Sequence, residues 1–86
     1  MRAVVLYHPK NEHGGRVEDY QRDYHKFKEK DLQLLSLETV EGAEMAKLYD
    51  ITNYPAVLVV ADDGSLHKLW QGGLPLMNEL DSYFHA

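Results

Sequence analysis

Tyr49 to Val60, YDITNYPAVLVV, followed at Asp62 to Gly72 by DDGSLHKLWQG, is the stretch whose reading decides the fold. Asp50 to Tyr54 is a connection. Pro55 lacks an N–H and suits the opening of a strand rather than its middle. Ala56 to Ala61 (AVLVVA) is a strongly apolar run, as a buried strand requires. Asp62-Asp63-Gly64-Ser65 then turns the chain into Leu66 to Trp70 (LHKLW), and Asp-Gly between two strand patterns is a hairpin signal. Gly72-Gly73 ends the second strand.

Working towards the N-terminus, Glu41 to Tyr49 predicts a short helix with Ala43, Ala46 and Tyr49 on one face, despite Gly42 near its start. Leu32 to Leu37 (LQLLSL) predicts a strand. Val17, Tyr20, Tyr24 and Phe27 fall at i, i+3, i+7 and i+10, the stripe of an amphipathic helix that begins near Glu12 to Arg16. Asn11 is placed to cap it, at the end of a loop from His8 to Gly15. Arg2 to Tyr7 (RAVVLY) is almost uninterrupted apolar sequence, the pattern of a central strand covered on both faces. The first two strands, joined through a helix, form a parallel crossover. Towards the C-terminus, Pro75 opens a last helix whose buried side is Leu76, Leu80, Tyr83 and Phe84. The order is βαβαββα, in one α/β domain spanning residues 1–86, without repeats or linkers.

Composition excludes several function classes. The 86 residues hold 44% hydrophobic and 27% charged side chains, the balance of a folded soluble domain. With zero cysteines, neither a disulfide nor a thiolate zinc site can form, and no cofactor is expected. A net charge of −5 argues against nucleic acid. The one basic run, His25 to Lys30 (HKFKEK), reads as a solvated helix C-terminus whose cations complement the dipole. No apolar run approaches the roughly 20 residues of a membrane span, and no signal pattern precedes Arg2, so a cytoplasmic protein is expected.

The order of elements, YDITNYPAVLVV and the hairpin after it resemble the thioredoxin and glutaredoxin fold over essentially residues 2 to 85. The resemblance implies a three-layer sandwich with a four-stranded mixed sheet and three helices. It also implies a cis bond before Pro55, with the main chain of Tyr54 presented to an extended peptide or to glutathione. A purely structural role for that turn is the alternative. The family's redox Cys-x-x-Cys falls near Asn11-Glu12-His13-Gly14, where this chain has no thiol, and Val5 stands where thioredoxins carry a buried acid. Disulfide exchange needs a thiolate nucleophile, so the chain cannot perform it with its own side chains.

The expected binding face comprises Asn11, Glu12, His13, Gly14, Tyr54, Pro55, Trp70, Gly72 and Gly73. Trp70 either makes an aromatic wall with Tyr54 or covers the core edge, whereas Tyr20, Tyr24 and Tyr83 read as core or rim. The helix start near Asn11 favours an anion or carboxylate, or is an ordinary cap. His8 and His13 are the pH-sensitive groups near the loop and make a weak metal pair, so no metal is expected. Ser36, Ser65 and Ser82 lie outside any nucleophile motif. The leading expectation is a non-catalytic module for a protein or extended peptide, without nucleic-acid or membrane partners. Beside it stand non-covalent binding of a glutathione-like or other anionic molecule, and a structural role as a homodimer or subunit pairing through an edge strand. An enzyme using His8 or His13 as a base is the remaining alternative.

Overall fold

The computed structural model describes residues 1–12 and 14–84, so the expectations placed on His13 lie outside the described residues. In chain order the elements are strand β1 (Arg2–Tyr7), helix α1 (Gly14–Lys28), strand β2 (Gln33–Ser36), helix α2 (Val40–Leu48), strands β3 (Ala56–Val60) and β4 (Leu66–Gln71), and helix α3 (Met77–Asp81). A 3-10 turn, Ser82–Phe84, follows α3. The sheet order is β2-β1-β3-β4. β1 pairs with β2 in parallel and with β3 antiparallel, and β3 pairs antiparallel with β4. This is the expected βαβαββα order.

Strand alternation builds two cores on one sheet. Ala3, Val5 and Tyr7 of β1 join Val57 and Val59 of β3 on one face, covered by Val17 and Tyr24 of α1 and Leu80 of α3. Val4 and Leu6 join Ala56, Leu58 and Val60 on the other, against Ala46 of α2 and Ile51. Both faces of β1 and β3 are therefore apolar, which is why these strands read as unbroken runs. β4 forms an edge, with exposed His67 and Lys68 and a register shift at Val59/Val60, features that discourage pairing with another chain.

Several expectations change. α1 begins at Gly14, within the expected start from Glu12 to Arg16, and successive main-chain turns lead into it: Asn11 N–H donates to His8 O at 3.1 Å and Gly14 N–H donates to Asn11 O at 2.9 Å. Asn11 thus serves the helix start through its carbonyl rather than its side chain. Phe27 is 67% exposed and leaves the buried stripe. At 3.6 residues per turn it lies roughly 70° around the helix from the Val17–Tyr24 line, in the last turn of α1. Ala43 is exposed as well, so Ala46 carries the contact of α2 with the core. Leu76 is 77% exposed, because it is the extended residue ahead of α3 and not part of its buried side. α2 has a cap that the sequence reading missed, with Thr39 Oγ1 accepting from Gly42 N–H at 3.0 Å.

Tyr20 ties α1 to the approach to α3 by donating its hydroxyl to Pro75 O at 2.8 Å. Burial, with Glu79 adding repulsion, pushes its phenol up to about 12. The unfolded value is about 10, so the folded state holds this proton more tightly. Its contribution is fully present below about pH 10 and is lost as pH rises towards about 12. Tyr20→Phe is therefore expected to flatten the alkaline fall in the urea midpoint over that window. Equal slopes for both proteins would contradict the assignment.

Candidate functional site

Gln71, the last residue of β4, sets the site's frame. Its side-chain oxygen accepts from Thr52 N–H at 3.0 Å and Asn53 N–H at 3.2 Å, holding the loop ahead of β3. Gly72 N–H then donates to Pro55 O at 3.0 Å, with Gly72 at φ 81°, a left-handed conformation that suits glycine. These bonds fix Pro55 opposite Gly72-Gly73. The space between them is a cleft of about 270 Å3 lined by Arg16, Pro55, Gly72, Gly73 and Leu74.

Of the residues expected to form a binding face, Pro55, Gly72 and Gly73 meet in this cleft. The Tyr54-Pro55 peptide is cis. Among the described residues, neither the N–H nor the C=O of Tyr54 has a main-chain partner, which leaves hydrogen-bonding capacity beside the cleft. The Tyr54 ring points away: it packs on the α2 side of the sheet, donates its hydroxyl to Ile51 O at 3.0 Å and meets the His8 ring edge-on at 5.3 Å. Asn11 and Glu12 are exposed in the loop and do not line the cleft. Gly14 is buried at the start of α1 against Pro9 and shapes the loop instead.

The aromatic wall of Tyr54 and Trp70 does not form. Trp70 pairs with Val57, whose side chain faces α1 and α3, so the indole lies across the sheet from Tyr54. There its N–H donates to Glu79 Oε1 at 2.9 Å and its ring meets Tyr83 edge-on at 5.7 Å. Trp70 covers the core edge.

The sequence reading missed Arg16, Gln71 and Leu74. For Arg16 a signal existed. It stands in the first turn of α1 with no acid nearby in that turn, although a helix N-terminus disfavours cations. Its side chain is exposed and makes no hydrogen bond or ion pair among the described residues. Such a breach of a local rule marks a functional candidate. At the adjacent end of β1, burial, with Glu18 adding repulsion, raises the Tyr7 phenol above its usual range and keeps it neutral.

No protein-family model matches the chain, and no curated protein matches it. Among solved structures it is similar to thioredoxin 1 from the thermophilic eubacterium Thermosipho africanus TCF52B, with a TM-score of 0.71 and 11% identity over 99% of this chain and 96% of that one. The fold is thioredoxin-like. At that identity the likeness extends to the fold alone, and a thioredoxin-like chain with no cysteine cannot attack a disulfide with a thiolate of its own. Val5 is fully buried among apolar neighbours, so no carboxylate stands at that point of the thioredoxin-like core. A cation, apolar walls and free main-chain groups equip the cleft for non-covalent contact. Among the described residues no helix is long and apolar enough to cross a membrane.

Proposed function

We propose that this thioredoxin-like domain is a non-catalytic binding module that takes an extended peptide segment in the cleft between Pro55 and Gly72-Gly73. The observation that carries the reading is the free main chain of Tyr54 beside that cleft. An extended ligand is able to pair with it as an added strand, while side chains settle against Pro55 and Leu74. Arg16 favours an acidic residue on the ligand.

The test is titration with blocked octapeptides of alternating leucine and glutamate. Arg16→Glu is expected to weaken binding about tenfold, and a lysine-for-glutamate peptide to reverse that preference. Equal affinity of both proteins for both peptides would remove Arg16 from the site. Arg16 also supports a second reading, a small anionic molecule such as glutathione held without covalent chemistry. A melting point raised by millimolar glutathione but not by the peptides favours that reading over the first.

A further inference from the structure

Thr52, Asn53 and Tyr54, which carry the chain into the cis bond, make no main-chain hydrogen bond among the described residues. The chain is anchored on either side of them. Before them, Ile51 donates its N–H to Ala46 O at 2.9 Å and places its side chain in the core on the α2 side, and after them Pro55 accepts from Gly72. Thr52 and Asn53 are exposed and bring no burial to the turn. The Tyr54 hydroxyl bonds to Ile51 O and so closes the turn only on itself.

Among the described residues, one side chain from another element hydrogen-bonds this stretch of main chain. Gln71 Oε1 accepts from both Thr52 N–H and Asn53 N–H. The base of that side chain is fixed, because Gln71 pairs with Ala56 in the β3–β4 ladder and Gly72 after it is bonded to Pro55. The Gln71 amide is therefore a strut from the sheet to the turn. It also occupies the N–H groups of Thr52 and Asn53 and leaves that of Tyr54 for a ligand. Gln71 is itself exposed, so the cores do not require it.

We propose that Gln71 is the positioning residue of the cleft: it holds Thr52 and Asn53 so that the Tyr54 main chain is presented in its binding shape, and it acts on the ligand through Tyr54. The inference rests on the peptide reading above and adds the group on which affinity depends. A turn already in its binding shape spares the ligand an ordering cost, whereas one that is competent for only about a tenth of the time binds about tenfold more weakly.

Two variants of the whole chain separate the strut from the size of the side chain. Gln71→Met keeps the length and removes the acceptor, whereas Gln71→Glu keeps an acceptor oxygen. Without ligand, the amides of Thr52 and Asn53 are expected to exchange hydrogen at least about tenfold faster in Gln71→Met than in wild type, with Gln71→Glu close to wild type. The binding probe is a blocked octapeptide of alternating leucine and threonine, which carries no charge for the variant carboxylate to repel. Gln71→Met is expected to raise its dissociation constant about tenfold, and Gln71→Glu to stay within about twofold of wild type. A merely structural role would lower the urea midpoint and leave the affinity of the folded protein unchanged. Equal exchange at Thr52 and Asn53 in all three proteins, or equal affinity of wild type and Gln71→Met, would overturn the proposal while leaving the peptide reading in place. Failure of the wild type to bind either this peptide or the leucine–glutamate one would remove the peptide reading, and the proposal with it.

Discussion

Gly14→Ala is expected to lower stability by about 2–3 kcal/mol, a large fraction of what a domain of this size possesses. A Cβ at Gly14 would overlap the carbonyl oxygen of Pro9 and lie 2.8 Å from its carbonyl carbon. Both atoms are main chain, in a loop held by the successive His8–Asn11 and Asn11–Gly14 bonds, so the clash is not relieved by a rotamer change. The start of α1 must move, and Arg16, two residues on, moves with it. Gly15→Ala provides the contrast. Nothing lies within 4 Å of a Cβ there, and alanine is the better helix former, so a gain of about 0.5–1 kcal/mol is expected. Urea unfolding of the pair measures both. Equal stabilities would mean that Pro9 does not crowd α1.

Asp81→Ala is expected to cost about 2–3 kcal/mol. Asp81 is buried beside the apolar core on the α1 side, where its Oδ1 accepts from Tyr24 O–H at 3.3 Å and Lys30 Nζ at 3.0 Å. Removing it leaves the buried Tyr24 hydroxyl without this acceptor and Lys30 without its ion pair. Lys30→Met is expected to cost less, because the lysine is about a third exposed and its loss leaves the Tyr24 bond in place. The double variant Asp81→Ala with Lys30→Met should destabilise by less than the sum of the single changes, since it leaves no unpaired charge on Lys30, while Tyr24 loses its acceptor as in Asp81→Ala alone. Strict additivity in chemical denaturation would show that the three groups do not act together.

The strands were legible because their burial is two-sided. Ala3 to Tyr7 and Ala56 to Val60 face a core whichever way a side chain points, so the apolar pattern survives without knowledge of the partner. Where only one face is buried, the pattern failed at its margin, as at Phe27. The site was legible in its backbone elements, Pro55 and Gly72-Gly73, because turn chemistry is local. Its side chains were not. Which face of the sheet Tyr54 and Trp70 occupy depends on register across β3 and β4, and no local pattern records it. Asp81 resembles any polar residue of a short helix until Lys30, distant in the chain, arrives beside it. Arg16 was overlooked because a charged residue at a helix start passes for solvated surface unless its sign is weighed against the dipole.

On the function proposed for it, this thioredoxin-like domain works through contact at the cleft between Pro55 and Gly72-Gly73. A 15N–1H titration with the blocked leucine–glutamate octapeptide tests it most directly. Binding there shifts the amides of Arg16, Tyr54, Gly72 and Gly73 together, with those of Val40 and Leu48 on α2 unmoved. Shifts confined to the outer faces of α1 and α2, with Tyr54 and Gly72 silent at saturation, would contradict it.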